Sequence, residues 1–404
     1  MFKDKLKRAD LLLLLFFVAC CAAVVLRVHV EATGYISPDS EYYLEAARSF
    51  MAGEKFIIRD LYGLHRGIVD AKVYFAQWPI GYPFLIASVS WVSGLNLFWA
   101  SKAVNLLFAG LGFCLMRYLN RAYSFVLASV YAAFTVLEMY SYTWSECVFL
   151  FGCLLFVVLL YKIYTTSNLL LVYLLLAVAG FLFLNRYIGF FVGGLTLMLA
   201  ILTRLENRKN LSNHLFTAFL LNVAFVWGYV LSNYQIAGYD TDAQRLTADM
   251  ESPPEVIWMS LKGLTIELFL IRKYYLQNTI DALTLILMAL QLSVFGYILY
   301  SLRKQTNAIT AAFKGNLLSH LAILTASAYL VVLVFLRTIS QFDPPNYRLL
   351  SPFTFLMLFA VVNYVVALPD GINGAKRAKY VLFVFFLLSL LMNLPKVYLL
   401  SKLS

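Results

Sequence analysis

Long apolar runs separated by short polar breaks organise this chain. They lie near residues 10–29, 98–116, 122–140, 147–164, 168–184, 187–203, 214–235, 279–300, 317–336, 349–368 and 379–395. A helix needs about 20 apolar residues to cross a hydrocarbon core of about 30 Å. The pattern therefore predicts an all-α polytopic membrane protein with eleven transmembrane helices. No stretch of strict apolar–polar alternation dominates, which argues against a β-barrel. A further stretch, Trp78–Gly94, reads WPIGYPFLIASVSWVSG. It is short, has two prolines near its start and carries Trp toward both ends.

The charges in the breaks decide whether Trp78–Gly94 crosses. With the N-terminus inside and this stretch outside the count, the inner breaks hold Arg117 and Arg121, Lys162, Arg204, Arg208 and Lys209, then Arg303, Lys304 and Lys314, and finally Lys376, Arg377 and Lys379. Together with the N-terminal Lys3, Lys5, Lys7 and Arg8, they amount to 16 basic residues against four acidic ones, and the remainder of the chain holds 16 against 17. Basic residues concentrate in cytoplasmic loops. A crossing at Trp78–Gly94 would turn every later basic loop outward. The stretch is therefore expected to lie in the outer interface.

Composition agrees with a membrane protein. The chain has 404 residues, 62% of them apolar, and a mean hydropathy of +0.78, against about 45–50% apolar residues in soluble domains. The net charge of +11 follows from the loop pattern and needs no nucleic-acid partner. The first apolar segment exceeds a signal-peptide core in length and is expected to stay as an anchor. Five cysteines lie in or beside apolar runs without a paired spacing, and four histidines are scattered singly. Neither a disulfide framework nor a metal site is expected from them, although dependence on a divalent metal stays open. One integral membrane domain, 1–404, divides into 1–97 (first span and outer loop), 98–235 (spans two to seven), 236–278 (an acidic outer loop) and 279–404 (spans eight to eleven).

Chemistry concentrates at the outer ends of the spans. Ser37-Pro38-Asp39-Ser40-Glu41-Tyr42-Tyr43 follows the first span. Ser37 suits a helix cap, Pro38 the first helical position, and Asp39 and Glu41 the positive helix end. Both carboxylates serve either as simple helix starters in solvent or, at Asp39, as a general base beneath the outer leaflet. Arg186, in Asn185-Arg186-Tyr187-Ile188-Gly189, interrupts two short apolar runs. It either snorkels to the interface or binds an anion such as a lipid phosphate. Arg337 and Arg348 flank a turn containing Asp343-Pro344-Pro345-Asn346. An Asp343–Arg348 pair tying that turn and a phosphate-binding role are the two readings. Glu146, in Ser141-Tyr142-Thr143-Trp144-Ser145-Glu146, opens the fourth span, where a carboxylate suits the helix start.

The order of these pieces resembles the GT-C glycosyltransferases, polytopic enzymes that use polyprenyl-phosphate-linked sugars and include protein O-mannosyltransferases and the lipid A aminoarabinose transferase. The resemblance rests on the acid-started outer helix, the W-P-x-G-Y-P-F-L stretch from Trp78, the S-E at Ser145-Glu146 and the N-R-Y-x-G break at Asn185. It covers the layout of about residues 10–205, and the F-D-x-x-N-x-R-L-L-S-P segment from Phe342 adds to it. It implies a monosaccharide transferase on the outer side of a bacterial cytoplasmic membrane. Asp39 would be the base with Glu41 in support, and Arg186, Arg348 and Arg337 would hold the donor phosphate. Glu146, Tyr82 and Tyr42 are assigned to the acceptor or sugar pocket. The implied partners are a polyprenyl-phosphate-linked sugar, a glycan, lipid or protein acceptor, and membrane lipids. The chain departs from the pattern in having D-S-E in place of an adjacent acidic pair. A lipid or solute transporter and a polysaccharide polymerase or ligase are the other classes that fit such a topology. A transporter would carry inverted repeats and midplane charges, and neither is visible here.

Overall fold

The computed structural model of the chain describes residues 2–63, 69–238, 241, 251–272, 282–303, 306–340, 342–395, 398–399 and 401. Asp240, Asp242 and Asp249 of the acidic outer loop, and Lys304, lie outside the described residues. The helices are α1 (Phe2–Val30), α2 (Pro38–Met51), α3 (Gly81–Ser93), α4 (Leu97–Leu119), α5 (Ser124–Ala128), α6 (Phe134–Ser141), α7 (Glu146–Thr166) and α8 (Leu169–Asn185). They continue as α9 (Phe191–Leu205), α10 (Lys209–Ala237), α11 (Pro253–Glu267), α12 (Ala282–Leu302), α13 (Thr306–Gly315), α14 (Leu317–Ile339), α15 (Tyr347–Ala367) and α16 (Ala375–Met392). Two three-residue strands, β1 (Ile57–Arg59) and β2 (Lys72–Tyr74), pair antiparallel with Ile58 opposite Val73. This hairpin interrupts the first outer loop of an otherwise all-α protein.

Each of the eleven apolar stretches is mostly helical over its described residues. Among the described residues, eight helices are long and apolar enough to cross a membrane, or nine if a bent pair counts as one span. The bent pair corrects the stretch read as one crossing at 122–140: Ser124–Ala132 and Phe134–Ser141 meet at 71°. A break in hydrocarbon is tolerated where its backbone groups find partners within the protein. Here Phe134 N–H donates to the Leu270 carbonyl at 2.8 Å, and Ser389 Oγ donates to the Ala132 carbonyl at 2.7 Å. The other shortfalls are α8, with 17 residues, and α16, whose first turns carry Lys376, Arg377 and Lys379. At 13 residues, α3 spans about 20 Å, too short to cross a core of about 30 Å.

One continuous apolar core runs from Ala9 to Leu390. Its centre is α7, with Val148, Phe149, Leu150, Cys153 and Leu154 all fully buried. Two glycines bring backbones close where the site forms. A Cβ on Gly81 would meet the Leu184 carbonyl at 2.4 Å, and one on Gly263 the Pro345 carbonyl at 2.1 Å. The first contact sets α3 against the end of α8, beside Arg186. The second sets α11 against the turn that leads into Arg348.

Candidate active site

Local sequence places each charged group. Ser37 caps α2: its Oγ accepts from Ser40 N–H, and Ser40 Oγ accepts from Ser37 N–H at 3.1 Å. Pro38 takes the first helical position, and Asp39 follows. Residues two apart on a helix do not share a face, so Asp39 and Glu41 diverge. Asp39 lines a cavity of about 790 Å³, whereas Glu41 accepts from Tyr62 Oη at 2.5 Å and is not part of its wall.

Arg348 enters the same cavity from the start of α15. Asn346 caps that helix by accepting from the N–H groups of Arg348 and Leu349 at 3.0 and 3.1 Å. Pro352 has no N–H to give to the carbonyl four residues earlier. Ser351 Oγ donates to that Arg348 carbonyl instead, at 2.7 Å. The R-L-L-S-P sequence thus fixes the backbone from which the guanidinium projects. A cation at a helix N-terminus is disfavoured by the helix dipole, and two carboxylates offset this. Arg348 Nη1 meets Asp39 Oδ2 at 2.5 Å, and Nε bonds Glu146. Among the described residues no acceptor takes Nη2. The partner is therefore not Asp343, which is exposed at the cavity rim.

Glu146 is the buried hub. Its side chain has no exposure, yet it pairs with both Arg348 and Arg186, whose side chains are 12% and 14% exposed. It sits at the first position of α7, where its charge is also favoured by the helix end. Arg186 lies at the extended break after α8 and lines the cavity with Asp39 and Arg348. Two carboxylates and two guanidiniums therefore balance within one constellation. A buried charge needs such partners.

Arg337, in the last turn of α14, lines the cavity too but stands in a separate pair. Its Nη2 meets Glu251 Oε1 at 2.5 Å and its guanidinium lies over the Phe342 ring. It shares no partner with Arg186 or Arg348 among the described residues. Tyr82 and Tyr42 do not line the cavity. Tyr82 Oη donates to Asn105 Oδ1 at 2.9 Å. Tyr42 Oη donates to Asp60 Oδ1 at 2.7 Å and accepts from Tyr62 N–H. Burial, then the bond to Asp60, pushes the Tyr42 phenol upward. The tyrosine that lines the cavity is Tyr43, one helical turn after Asp39 and hydrogen-bonded with Ser145 Oγ at 3.2 Å; burial raises its phenol as well.

Trp78, Gln77, Asn185 and Tyr187 add wall residues that sequence reasoning had not assigned. Their signal was present: Trp78 opens the W-P stretch, and Asn185 and Tyr187 flank Arg186. On the other side Tyr329, Leu333, Leu336, Ile188 and Leu349 form an apolar flank. Among the described residues no three His, Cys, Asp or Glu side chains gather closely enough to hold a metal ion.

Fold and site define a polytopic α-helical membrane protein with an acid–arginine cavity at one end of its bundle. No protein-family model matches the chain, and no curated protein matches it. Among solved structures the chain is similar to the crystal structure of ArnT from Cupriavidus metallidurans in the apo state. The two are 14% identical with a TM-score of 0.49, over 94% of this chain and 75% of that one.

Proposed function

We propose that the protein is a GT-C-type glycosyltransferase that moves a monosaccharide from a polyprenyl-phosphate carrier to a glycan, lipid or protein acceptor outside a bacterial cytoplasmic membrane. The observation that carries this reading is the juxtaposition of Asp39, Arg186 and Arg348 in one cavity. They are a carboxylate and two guanidiniums, arranged around a buried Glu146 and beside an apolar flank.

The donor phosphate sits against Arg348 Nη2 and Arg186, since guanidinium donors match phosphate oxygens. The isoprenoid chain runs along Tyr329, Leu333 and Leu336. Asp39 takes the proton from an acceptor hydroxyl or amine as that group attacks the anomeric carbon. The bond from that carbon to the phosphate oxygen breaks, and the phosphate leaves with the electron pair. The arginines stabilise the charge that develops there. Phosphate is a good leaving group, so no general acid is required. A single displacement inverts the anomeric carbon. The basic breaks between spans support a reading in which the cavity opens on the outer side.

The test is transfer by purified protein in lipid nanodiscs, with a labelled polyprenyl-phosphate sugar. Asp39→Asn keeps the size and helix-starting ability of the residue but cannot accept the proton. Its transfer rate is expected to fall about 10²–10⁴-fold with donor binding retained. Activity within a few-fold of wild type would return Asp39 to the role of helix starter.

A further inference from the structure

We infer that Trp144 is a positioning residue for this cavity, holding the Arg348 guanidinium by its ring face and the start of α2, with Asp39, by its ring edge. The inference rests on the roles proposed above for Arg348 and Asp39. The guanidinium carbon of Arg348 lies 4.4 Å from the centre of the Trp144 ring. The indole Nε1 donates to Ser37 Oγ at 2.7 Å, and Ser37 is the residue that caps α2 two positions before Asp39. Trp144 is 5% exposed and is not part of the cavity wall. It acts through the two groups that are.

The geometry needs such a clamp. Asp39 and Arg348 are 309 positions apart in the chain, so no shared element sets their separation. Their carboxylate and guanidinium attract one another, but that bond competes with any phosphate that enters. A cation over an indole face is held by the ring quadrupole whether or not a carboxylate is bonded. The indole N–H is a donor only, so the contact to Ser37 uses a different part of the same side chain. The two contacts can therefore be removed separately.

The indole is itself fixed. Tyr142 stacks on it at 3.8 Å with the planes 5° apart, and Tyr35 meets Tyr142 edge-on at 4.9 Å. The segment that carries Trp144 is bound to α4. Lys102 Nζ donates to the Ser141 carbonyl at 2.7 Å and to Thr143 Oγ1 at 2.9 Å. Asn105 Nδ2 donates to the carbonyls of Tyr140 and Tyr142 at 3.1 and 2.7 Å. The ends of α2, α7 and α15 thus meet at one aromatic residue, and the residues just before it in the chain are anchored to a fourth helix.

The test compares Trp144→Phe, Trp144→Leu and Ser37→Ala in full-length protein in nanodiscs. Binding of sugar-free polyprenyl phosphate, kcat with a polyprenyl-phosphate sugar, and Tm are measured for each. Trp144→Phe keeps a ring face and loses the N–H. It is expected to bind polyprenyl phosphate within about two-fold of wild type while kcat falls about tenfold, because Asp39 is misplaced. Trp144→Leu loses both contacts and is expected to weaken phosphate binding about tenfold as well. Ser37→Ala removes the same bond and also the cap of α2, so it should lower kcat in the wild-type background and lower it by a smaller factor in Trp144→Phe, where only the cap is left to lose. Equal effects of Phe and Leu that scale with Tm would show a merely structural residue and overturn the inference. Wild type that binds polyprenyl phosphate, with Trp144→Leu binding equally well, would overturn the inference alone. Wild type that binds none would overturn the functional reading and this inference with it.

Discussion

Two buried arginine–carboxylate centres in this bundle look alike by composition and differ in what surrounds them. Arg27, near the end of α1, is 5% exposed. Its Nη2 bonds Glu138 of α6, and Tyr35 Oη accepts from Nε and Nη2 at 3.1 and 2.8 Å. This centre is one cation on one anion, sealed among helices and outside the cavity wall. The centre at Glu146 joins two arginines to two carboxylates, and three of the four groups face a cavity of about 790 Å³. Burial of charge is common to both and so does not mark function. Access distinguishes them, together with an arginine that keeps a donor for something outside the protein. Replacing an arginine in each of the two centres should therefore give opposite patterns of stability and binding.

The largest effect is expected at the sealed centre. Arg27→Met leaves Glu138 buried without its cation, which typically costs about 3–5 kcal/mol. Tm should fall by many degrees, while polyprenyl-phosphate binding per folded molecule stays near wild type. Replacing both partners, Arg27→Met with Glu138→Met, should restore much of the lost stability, since a buried pair exchanged for apolar groups is often neutral. Thermal unfolding followed by intrinsic fluorescence reads both. A double variant no more stable than Arg27→Met would mean that the pair carries more than local charge balance.

At the open centre the order of effects reverses. Arg348→Lys keeps a positive charge for Asp39 and Glu146 but loses the planar fork and its spare Nη2 donor. Tm should move little, because Arg186 still neutralises Glu146. Affinity for polyprenyl phosphate should drop about tenfold, the scale of one charge-assisted hydrogen bond. Wild-type affinity in Arg348→Lys, measured by titration into nanodiscs, would remove Arg348 from the phosphate site.

Much of this was legible in the sequence because it is local. Apolar length marked the helical stretches, with the break inside 122–140 missed, and Ser37 and Pro38 read directly as a helix start. The short α3 followed from the proline-rich entry of the W-P stretch. What stayed hidden depends on partners far away in the chain. The bend after Ala132 requires Leu270 and Ser389 to take up the freed backbone groups. The partners of Arg348 are Asp39 and Glu146, both far away in the chain, and not the nearby Asp343. Tyr42 and Tyr43 are neighbours in sequence with equal aromatic content. Only packing against Asp60 and Ser145 decides which of them faces the cavity.

The smallest effect is expected at the carboxylate next to the proposed base. Glu41 stands two residues from Asp39, on another face of α2, and its carboxylate is taken by the exposed Tyr62 hydroxyl. It touches neither Arg348 nor Arg186 among the described residues. Glu41→Gln keeps an acceptor for Tyr62 and costs only a favourable charge at a helix start, about 0.3–1 kcal/mol. Transfer activity should stay within a few-fold of wild type, against the hundredfold or greater loss expected for Asp39→Asn on the scale of a general base. Tyr62→Phe, which removes the hydrogen bond from the other side, should match it. If Glu41→Gln instead lost activity as completely as Asp39→Asn, the two carboxylates would be acting together. The separation of their faces along α2 would then not hold while substrate is bound.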